Sequence, residues 1–251
     1  MKTIRLLFLS LLFVTIFCPR PALPAETGTA AYAALLKTTV TADGVRWDKI
    51  GATEKKLLGS FLDWIAATNP VALEDTHEQL AFWINAHNAC VMKFVLDHLP
   101  VQSVMAISGF RDQLKCKVAG SEHSLVDLES SIVRPLFNEP RVHFALWWGT
   151  KGGPRLREMP YEGATLEKAL EEASRSAITN PLFVKFDPSN PAKPVALSVL
   201  FDWYKLDFGK KDQDLLSFIR ARVAKENTKK IPGALSKVSF MSFDWTLDRA
   251  N

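Results

Sequence analysis

Cysteine and net charge are both scarce in this sequence. The 251 residues contain three cysteines, and no two of them have the short spacing of zinc ligands. The five histidines form neither an HExxH nor an HxH pattern, so we expect no metal site and no cofactor. A formal net charge of only +4 argues against nucleic-acid binding, because that function normally needs a strong basic patch.

The sequence also lacks an apolar run long enough to span a membrane comfortably. Its most apolar stretch, Leu6 to Phe17, holds about a dozen residues, where a span needs about 20. Lys2 and Arg5 precede this stretch and prolines follow it, which is the order of a secretory signal peptide. We predict a signal peptide over residues 1–25 and an exported protein, periplasmic or secreted, with no stable membrane span after cleavage.

Removal of residues 1–25 would take away three basic residues and no acidic ones, which lowers the net charge from +4 to about +1. The remaining cysteines are Cys90 and Cys116. An oxidising compartment permits a disulfide between them, but the sequence does not show whether their Cα atoms lie close enough. A bridge and a pair of buried thiols both remain open.

Regular alternation of strands and helices is absent, and helical periodicity outweighs strand patterns. We predict a single globular domain over residues 26–251, of helix-rich α+β class with a small, antiparallel sheet. The predicted longer helices cover about 53–68, 77–98, 125–137, 165–178 and 212–225. The second of these would begin with a capping box at Thr76–Gln79. The predicted strands cover 114–118, 141–148, 193–197 and 238–245.

The helix at 77–98 is apolar nearly all round, which indicates burial. It nevertheless carries Asn85, His87 and Asn88 within one turn. Buried polar groups need partners. These side chains therefore either tie neighbouring loops to the helix or line a pocket.

A second set of candidates surrounds the segment RVHFALWWGTKGGPRL, residues 141–156. Read as a buried strand, it would place Arg141 and His143 on one face. Glu129 borders the apolar stripe of its own predicted helix, and if buried it would need a donor such as Arg141 or His143.

The glycine-rich end of this segment is not a P-loop. Gly153 is followed by Pro154, which has no backbone N–H to donate to a phosphate. The sequence also lacks the Gly-x-Ser-x-Gly pattern of serine hydrolases. Trp203 and Trp245, each in a Phe-Asp-Trp triplet, are predicted to be buried structural side chains.

Four stretches of the sequence, in this order, resemble a bacterial family known as domain of unknown function 547. They are LAFWINAHNA, HSLVDLESSIVRPLF, EPRVHFAL with GGPRL, and LSVLFDWYKLDF, and they extend from about Leu80 to Phe208. The resemblance implies frequent export and assigns no reaction. It also implies a fold similar to papain-like cysteine hydrolases, in which the histidine of RVHFAL and a cysteine just after it would react together.

This chain departs from the family pattern where that cysteine is expected. Trp148 and Gly153 occupy the positions at which the family commonly has cysteines, and His87 stands where an aromatic residue such as tyrosine is usual. A cysteine nucleophile works through its thiolate, which neither residue can supply.

Two hypotheses follow for the function. The first is a non-catalytic protein that binds a small molecule or an envelope protein with Trp147, Trp148 and Lys151. The second is an amide-bond hydrolase or transferase in which another group acts as the nucleophile. In both, His143, Glu129 and at least one of the two asparagines converge beside residues 149–154. The predicted site has His143 and Glu129 in the catalytic positions and a pocket made of Asn85, His87, Asn88, Arg141, Trp148, Lys151 and Gly153.

Overall fold

The structure is a computed structural model that describes residues 25–73 and 75–250, with side chains from residue 28 onward. The predicted signal peptide therefore lies outside the described residues, apart from Ala25, which is the first residue of a helix. Within the described ranges, no helix is long and apolar enough to cross a membrane.

Three helices build the larger hydrophobic core. Helix α1 (Ala25–Thr39) packs against α2 (Ala52–Ala67), with Tyr32 and Phe61 stacked at 4.2 Å between ring centroids. Between the two helices, β1 (Val40–Thr41) and β2 (Gly44–Val45) form a short hairpin. Helical periodicity places five apolar side chains on the inner face of α2. Leu58, Phe61, Trp64 and Ile65 are buried, whereas Leu57 is half-buried.

Helix α3 (Thr76–His98) runs through this core. Every residue from Leu80 to Met92 is buried, as its all-round apolar sequence predicts. Its start differs from the predicted capping box. Asp75 is the N-cap and accepts a hydrogen bond from the His77 amide, while the Gln79 side chain donates to the carbonyl of Leu73. Aspartate at the cap also places a negative charge at the positive end of the helix dipole.

A disulfide joins α3 to the short strand β3 (Cys116–Val118). Cys90 and Cys116 have Cα atoms 5.9 Å apart, which is within the range that a disulfide spans. Strand β3 pairs with β4 (Ser121–His123) in an antiparallel hairpin. Of the disulfide and the pair of buried thiols that the sequence left open, the structure has the disulfide.

The segment that carries Glu129 is helical but irregular. Ser124 and Asp127 cap it reciprocally, each side chain accepting a hydrogen bond from the other residue's amide. Residues Asp127–Val133 form a π-helical stretch, which continues into α4 (Arg134–Phe137). Glu129 is turned into the interior, whereas Leu136, near the end of the same helical segment, is 66% exposed.

The predicted strand at 141–148 is wrong. Residues Pro140–Phe144 form a 3-10 helix, and the next turn is closed by local bonds from the amides of Ala145 and Leu146 to the carbonyl of Val142. Proline at the first position and the Glu139 side chain, which accepts from the Arg141 amide, favour this helical start. The apolar run is buried, as its composition indicates, but no strand within residues 25–73 and 75–250 pairs with it. Arg141 and His143 therefore do not share a strand face.

The C-terminal half forms a smaller core around a three-stranded sheet. Helix α5 (Leu166–Thr179) is followed by β5 (Val184–Phe186), β6 (Val195–Ser198), α6 (Leu200–Trp203), α7 (Asp212–Arg220) and β7 (Val238–Met241). Strand β6 pairs antiparallel with β5 and parallel with β7. The helix-rich α+β class is confirmed, with one parallel strand pair in addition to the antiparallel ones.

Candidate functional site

His143 is held by a carboxylate and by an aromatic ring. Its Nε2 lies 2.7 Å from Oδ2 of Asp207, and its ring stacks on that of Tyr204 with centroids 3.9 Å apart. Asp207 also accepts two hydrogen bonds from the Arg134 guanidinium, at 2.6 and 2.9 Å. Burial alone would raise the pKa of Asp207, but the bonds from His143 and Arg134 hold it well below its usual range. Asp207 is therefore a carboxylate, and Nε2 of His143 is the protonated nitrogen that donates to it.

Glu129 approaches the same tyrosine. It is 2% exposed, and the Tyr204 hydroxyl interacts with its carboxyl group. Its Oε1 has no hydrogen-bond partner among the residues that the structure describes. Burial raises the pKa of Glu129, against the opposing effects of Tyr204, His143 and Arg134. The two predicted catalytic groups are thus neighbours, with Tyr204 in contact with both.

Arg111 connects this cluster with His87 through Trp148. The Arg111 guanidinium lies 4.5 Å from the centroid of the Trp148 ring, and His87 meets the same ring edge-on at 5.8 Å. His87 is fully buried, and burial lowers its pKa to about 4 although a hydrogen bond with Asn88 acts in the opposite direction. The ring is therefore neutral at pH 7. Its Nε2 and the Nε of Arg111 have no partner within the described ranges.

The two asparagines of α3 support backbone rather than a pocket. Asn88 donates to the carbonyl of Ala145 at 3.0 Å and accepts from the amide of Trp147 at 2.8 Å. Asn85 makes the equivalent pair of bonds with the amide and carbonyl of Tyr161. Of the two interpretations left open by the sequence, these contacts match the one in which the side chains tie neighbouring loops to the helix.

Arg141 lies in a different ion-pair network. Its guanidinium binds Glu139 and Glu167, and its side chain is only 15% exposed. The structure does not bring Arg141 to Glu129. Its contacts fasten the 3-10 helix to the first turn of α5.

An aromatic cleft lies above Arg111 and Tyr204. Its wall is built by Trp203, Phe243 and Trp245, with the two tryptophan rings stacked at 5.9 Å. The cavity volume is about 10 Å³, which is room for about one water molecule. Trp203 is 48% exposed, so the prediction that this side chain is buried is wrong. An exposed ring above a filled cleft forms a surface rather than a small-molecule pocket.

The glycines of the loop 149–154 allow two segments of the chain to approach closely. Gly152 donates to the carbonyl of Asp244 at 2.9 Å and Lys151 to that of Thr246 at 2.9 Å. A Cβ on Gly152 would lie 2.5 Å from the backbone nitrogen of Asp244. These loop amides are bonded to the C-terminal segment, in line with the exclusion of a phosphate-binding backbone. Gly153 faces Phe243 and Thr150.

The side chains of this loop line a separate cavity of about 240 Å³, which we call the glycine-loop pocket. Three cationic residues line it: Lys151, Arg155 and Arg249. None of the three forms an ion pair within the part of the chain that the structure describes. Thr150 also lines it and is 1% exposed, and its hydroxyl oxygen has no partner in the same ranges.

Two carboxylates share the glycine-loop pocket with these cations. Asp248 is mostly buried, and its Oδ2 accepts a hydrogen bond of 2.9 Å from the indole of Trp147. Burial raises the pKa of Asp248, while Trp147, Arg155 and Lys151 act against that effect. Asp43, from the turn between β1 and β2, is exposed. The positive residues outnumber the negative ones, and one of the carboxylates is engaged with the core.

The structure thus divides the predicted site residues into three places. Around Tyr204 and Arg111 lie His143, Glu129, His87 and Trp148. The glycine-loop pocket is lined by Lys151 and Gly153. The two asparagines and Arg141 support the surrounding backbone and helices.

Sequence reasoning missed Tyr204 and Asp207, although both lie in the block LSVLFDWYKLDF. It also missed Arg155 and Arg249, which look like ordinary surface cations until the fold brings them together. Among the described residues, no group of histidine, cysteine, aspartate or glutamate has the arrangement of a metal site.

Residues 71–177 match the family described as "Protein of unknown function, DUF547". This match confirms the resemblance for the first three stretches; the fourth, LSVLFDWYKLDF, lies outside the matched residues. No curated protein and no solved structure matches the chain. The matched region includes Glu129, His143 and the glycine-rich loop, and the family is uncharacterised, so the match assigns no reaction.

Proposed function

We propose that this protein binds a small oxyanion-bearing ligand in the glycine-loop pocket and does not transform it. The observation that carries the proposal is that three cations without ion pairs in the described ranges line one cavity, together with Thr150, whose buried hydroxyl has no partner there. Ionised donors make the stronger hydrogen bonds to carboxylate and phosphate oxygens, and the guanidinium fork matches the geometry of both.

The charges of the pocket favour a ligand with more than one negative charge. Lys151, Arg155 and Arg249 face two carboxylates, one of which is held by Trp147. A phosphate monoester carries a charge of about −1.5 to −2 at neutral pH and offers more acceptor oxygens than a carboxylate. We therefore expect phosphate to bind more tightly than acetate.

The absence of a nucleophile supports binding without chemistry. Both described cysteines are consumed by the disulfide. In the described ranges, no serine, threonine or cysteine side chain hydrogen-bonds to His143, whose Nε2 is occupied by Asp207. A histidine with no serine, threonine or cysteine beside it lacks the protein nucleophile that covalent acyl transfer uses.

Isothermal titration calorimetry with inorganic phosphate at low ionic strength tests the proposal. We expect one saturable site per chain, an affinity reduced about tenfold or more by Arg155→Gln, and an affinity unchanged by Lys55→Gln. Lys55 is an exposed cation on α2 and serves as the matched control. Equal affinity in the two variants, or no saturable binding, would refute the proposal.

One observation favours the alternative function, an amide-bond hydrolase or transferase. The 2.7 Å contact between His143 and Asp207 has the geometry of a base and its orienting carboxylate. Mass spectrometry of a peptide mixture incubated with the protein separates the two functions. Cleavage or transfer that is lost in His143→Gln and kept in His123→Gln would establish the enzyme. Unchanged peptides are the result that we expect.

We further propose that the protein is exported after removal of residues 1–25, on the sequence pattern alone. Intact-mass analysis of the protein from its host would give a mature chain that begins at Glu26. A chain that retains Met1 would contradict this.

A further inference from the structure

A second cleft adjoins the glycine-loop pocket. Its cavity volume is about 220 Å³. Arg155 and Asn180 line both cavities, so the two spaces share a wall at these residues. Its apolar lining residues are Phe144, Leu156, Ala173, Ala177 and Phe183, and we call it the apolar cleft.

We propose, on the basis of the function proposed above, that the ligand is amphipathic, with its oxyanion head in the glycine-loop pocket and a short alkyl chain in the apolar cleft. The placement of Arg155 supports this arrangement. A head group held by Arg155 would lie next to the apolar cleft, because Arg155 lines both cavities.

Apart from Arg155, the charged residues of the apolar cleft already have partners. The guanidinium of Arg157 lies 4.8 Å from the centroid of the Tyr161 ring, and Glu172 pairs with Lys168 on the same helix at 3.8 Å. The remaining lining is largely aromatic and aliphatic. This distribution suits a chain with no charge of its own.

Two small side chains of α5 leave the space open. Ala173 and Ala177 are four residues apart and therefore lie on the same face of the helix. A leucine at position 173 is compatible with the helix and would extend into the cleft. This substitution removes the space for the chain without changing any cation of the glycine-loop pocket.

A series of alkyl phosphates tests the inference by calorimetry. The probes are inorganic phosphate, ethyl phosphate, butyl phosphate and hexyl phosphate. If each methylene is buried, affinity should rise about fourfold per added methylene until the cleft is full. Ala173→Leu should remove this gain and leave the affinity for inorganic phosphate unchanged. Ala52→Leu, at an exposed position of α2, should keep the full gain.

The outcomes separate this inference from the proposed function. Phosphate binding with no dependence on chain length would overturn the amphipathic ligand alone. A chain-length gain that survives Ala173→Leu would overturn the assignment of the chain to this cleft. Failure of inorganic phosphate to bind would overturn the proposed function, and this inference with it.

Discussion

At the scale of single residues, a few buried polar atoms have no hydrogen-bond partner in the described part of the chain. Most buried polar groups in folded proteins are hydrogen-bonded, and each exception calls for an explanation. Here the exceptions include Thr150 in the glycine-loop pocket and His87, Arg111 and Glu129 around Trp148 and Tyr204. The role of Thr150 can be tested by measuring ligand binding, and that of His87 by measuring stability as a function of pH.

Replacing Thr150 with valine should affect stability and binding in opposite directions. The change removes a buried hydroxyl that has no partner in the described structure. Valine has nearly the same side-chain shape as threonine. The unliganded protein should become more stable by about 1 kcal/mol, while its affinity for phosphate falls. Urea unfolding and calorimetry measure the two effects. Lower stability together with unchanged affinity would show that the hydroxyl has a structural partner and no ligand.

His87 should make the fold sensitive to acid. Its pKa is lowered by burial from 6.5 to about 4, so between these values the unfolded chain takes up a proton that the folded chain does not. Stability is therefore complete above pH 6.5 and falls as the pH drops toward 4, by about 3 kcal/mol from this group. In His87→Phe, which keeps a ring against Trp148, this part of the pH dependence should disappear from urea unfolding curves. Identical curves for both proteins would contradict the neutral, buried assignment.

At the scale of elements, Asp207 joins three segments that are distant in the sequence. It binds Arg134 of α4 and His143 of the 3-10 helix, and lies itself in the turn after α6.

The segment 141–148 shows where prediction from the sequence fails. An apolar run with proline and glycine at its ends suggests a strand, but a strand also needs a partner edge. Residues 141–148 pair with no strand in the described part of the chain. Helix α5 packs against the 3-10 helix, and Asn88 of α3 bonds to the backbone of Ala145 and Trp147. Burial was predictable from composition, whereas the conformation depended on these tertiary neighbours.

Asp207→Asn should loosen this junction. The amide cannot accept three hydrogen bonds from charged or ring donors as the carboxylate does. We expect a loss of about 2 kcal/mol at pH 7. The pKa of Asp207 is depressed in the folded state, so the contribution of the carboxylate is present above its ordinary value of 3.8 and is lost as the pH falls below it. Asp202→Asn, which removes the same charge at an exposed position, is the control. Equal unfolding midpoints for the two variants would contradict the role of Asp207 in holding these segments together.

At the scale of the whole molecule, the sequence predicted the fold class, the long helices and the family resemblance. It could not predict the pockets. Lys151 was identified as a pocket residue, but Arg155 and Arg249 are separated from each other by most of the C-terminal half. The pairing of the loop with the segment from Asp244 to Asp248 brings Arg249 to the glycine-rich loop. Such long-range contacts leave no periodic signal in a single sequence.

The disulfide also acts on the whole molecule. It closes a loop between positions 26 residues apart, and a loop of this size restricts the unfolded chain by about 3 to 4 kcal/mol. The oxidised protein should therefore unfold at a higher temperature than the reduced protein, as measured by circular dichroism with and without a reductant. Oxidised protein carrying Cys18→Ser should also resist labelling by iodoacetamide. Rapid labelling would show that a free thiol is present.

The location of a bound oxyanion tests the central claim most directly. Crystals soaked in selenate, a tetrahedral oxyanion that scatters anomalously, would report its position without assumptions about the natural ligand. The account predicts an anomalous peak in the glycine-loop pocket, within hydrogen-bond distance of the Thr150 hydroxyl and of at least two of Lys151, Arg155 and Arg249. A peak elsewhere, with this pocket empty at a concentration that saturates binding in solution, would contradict it.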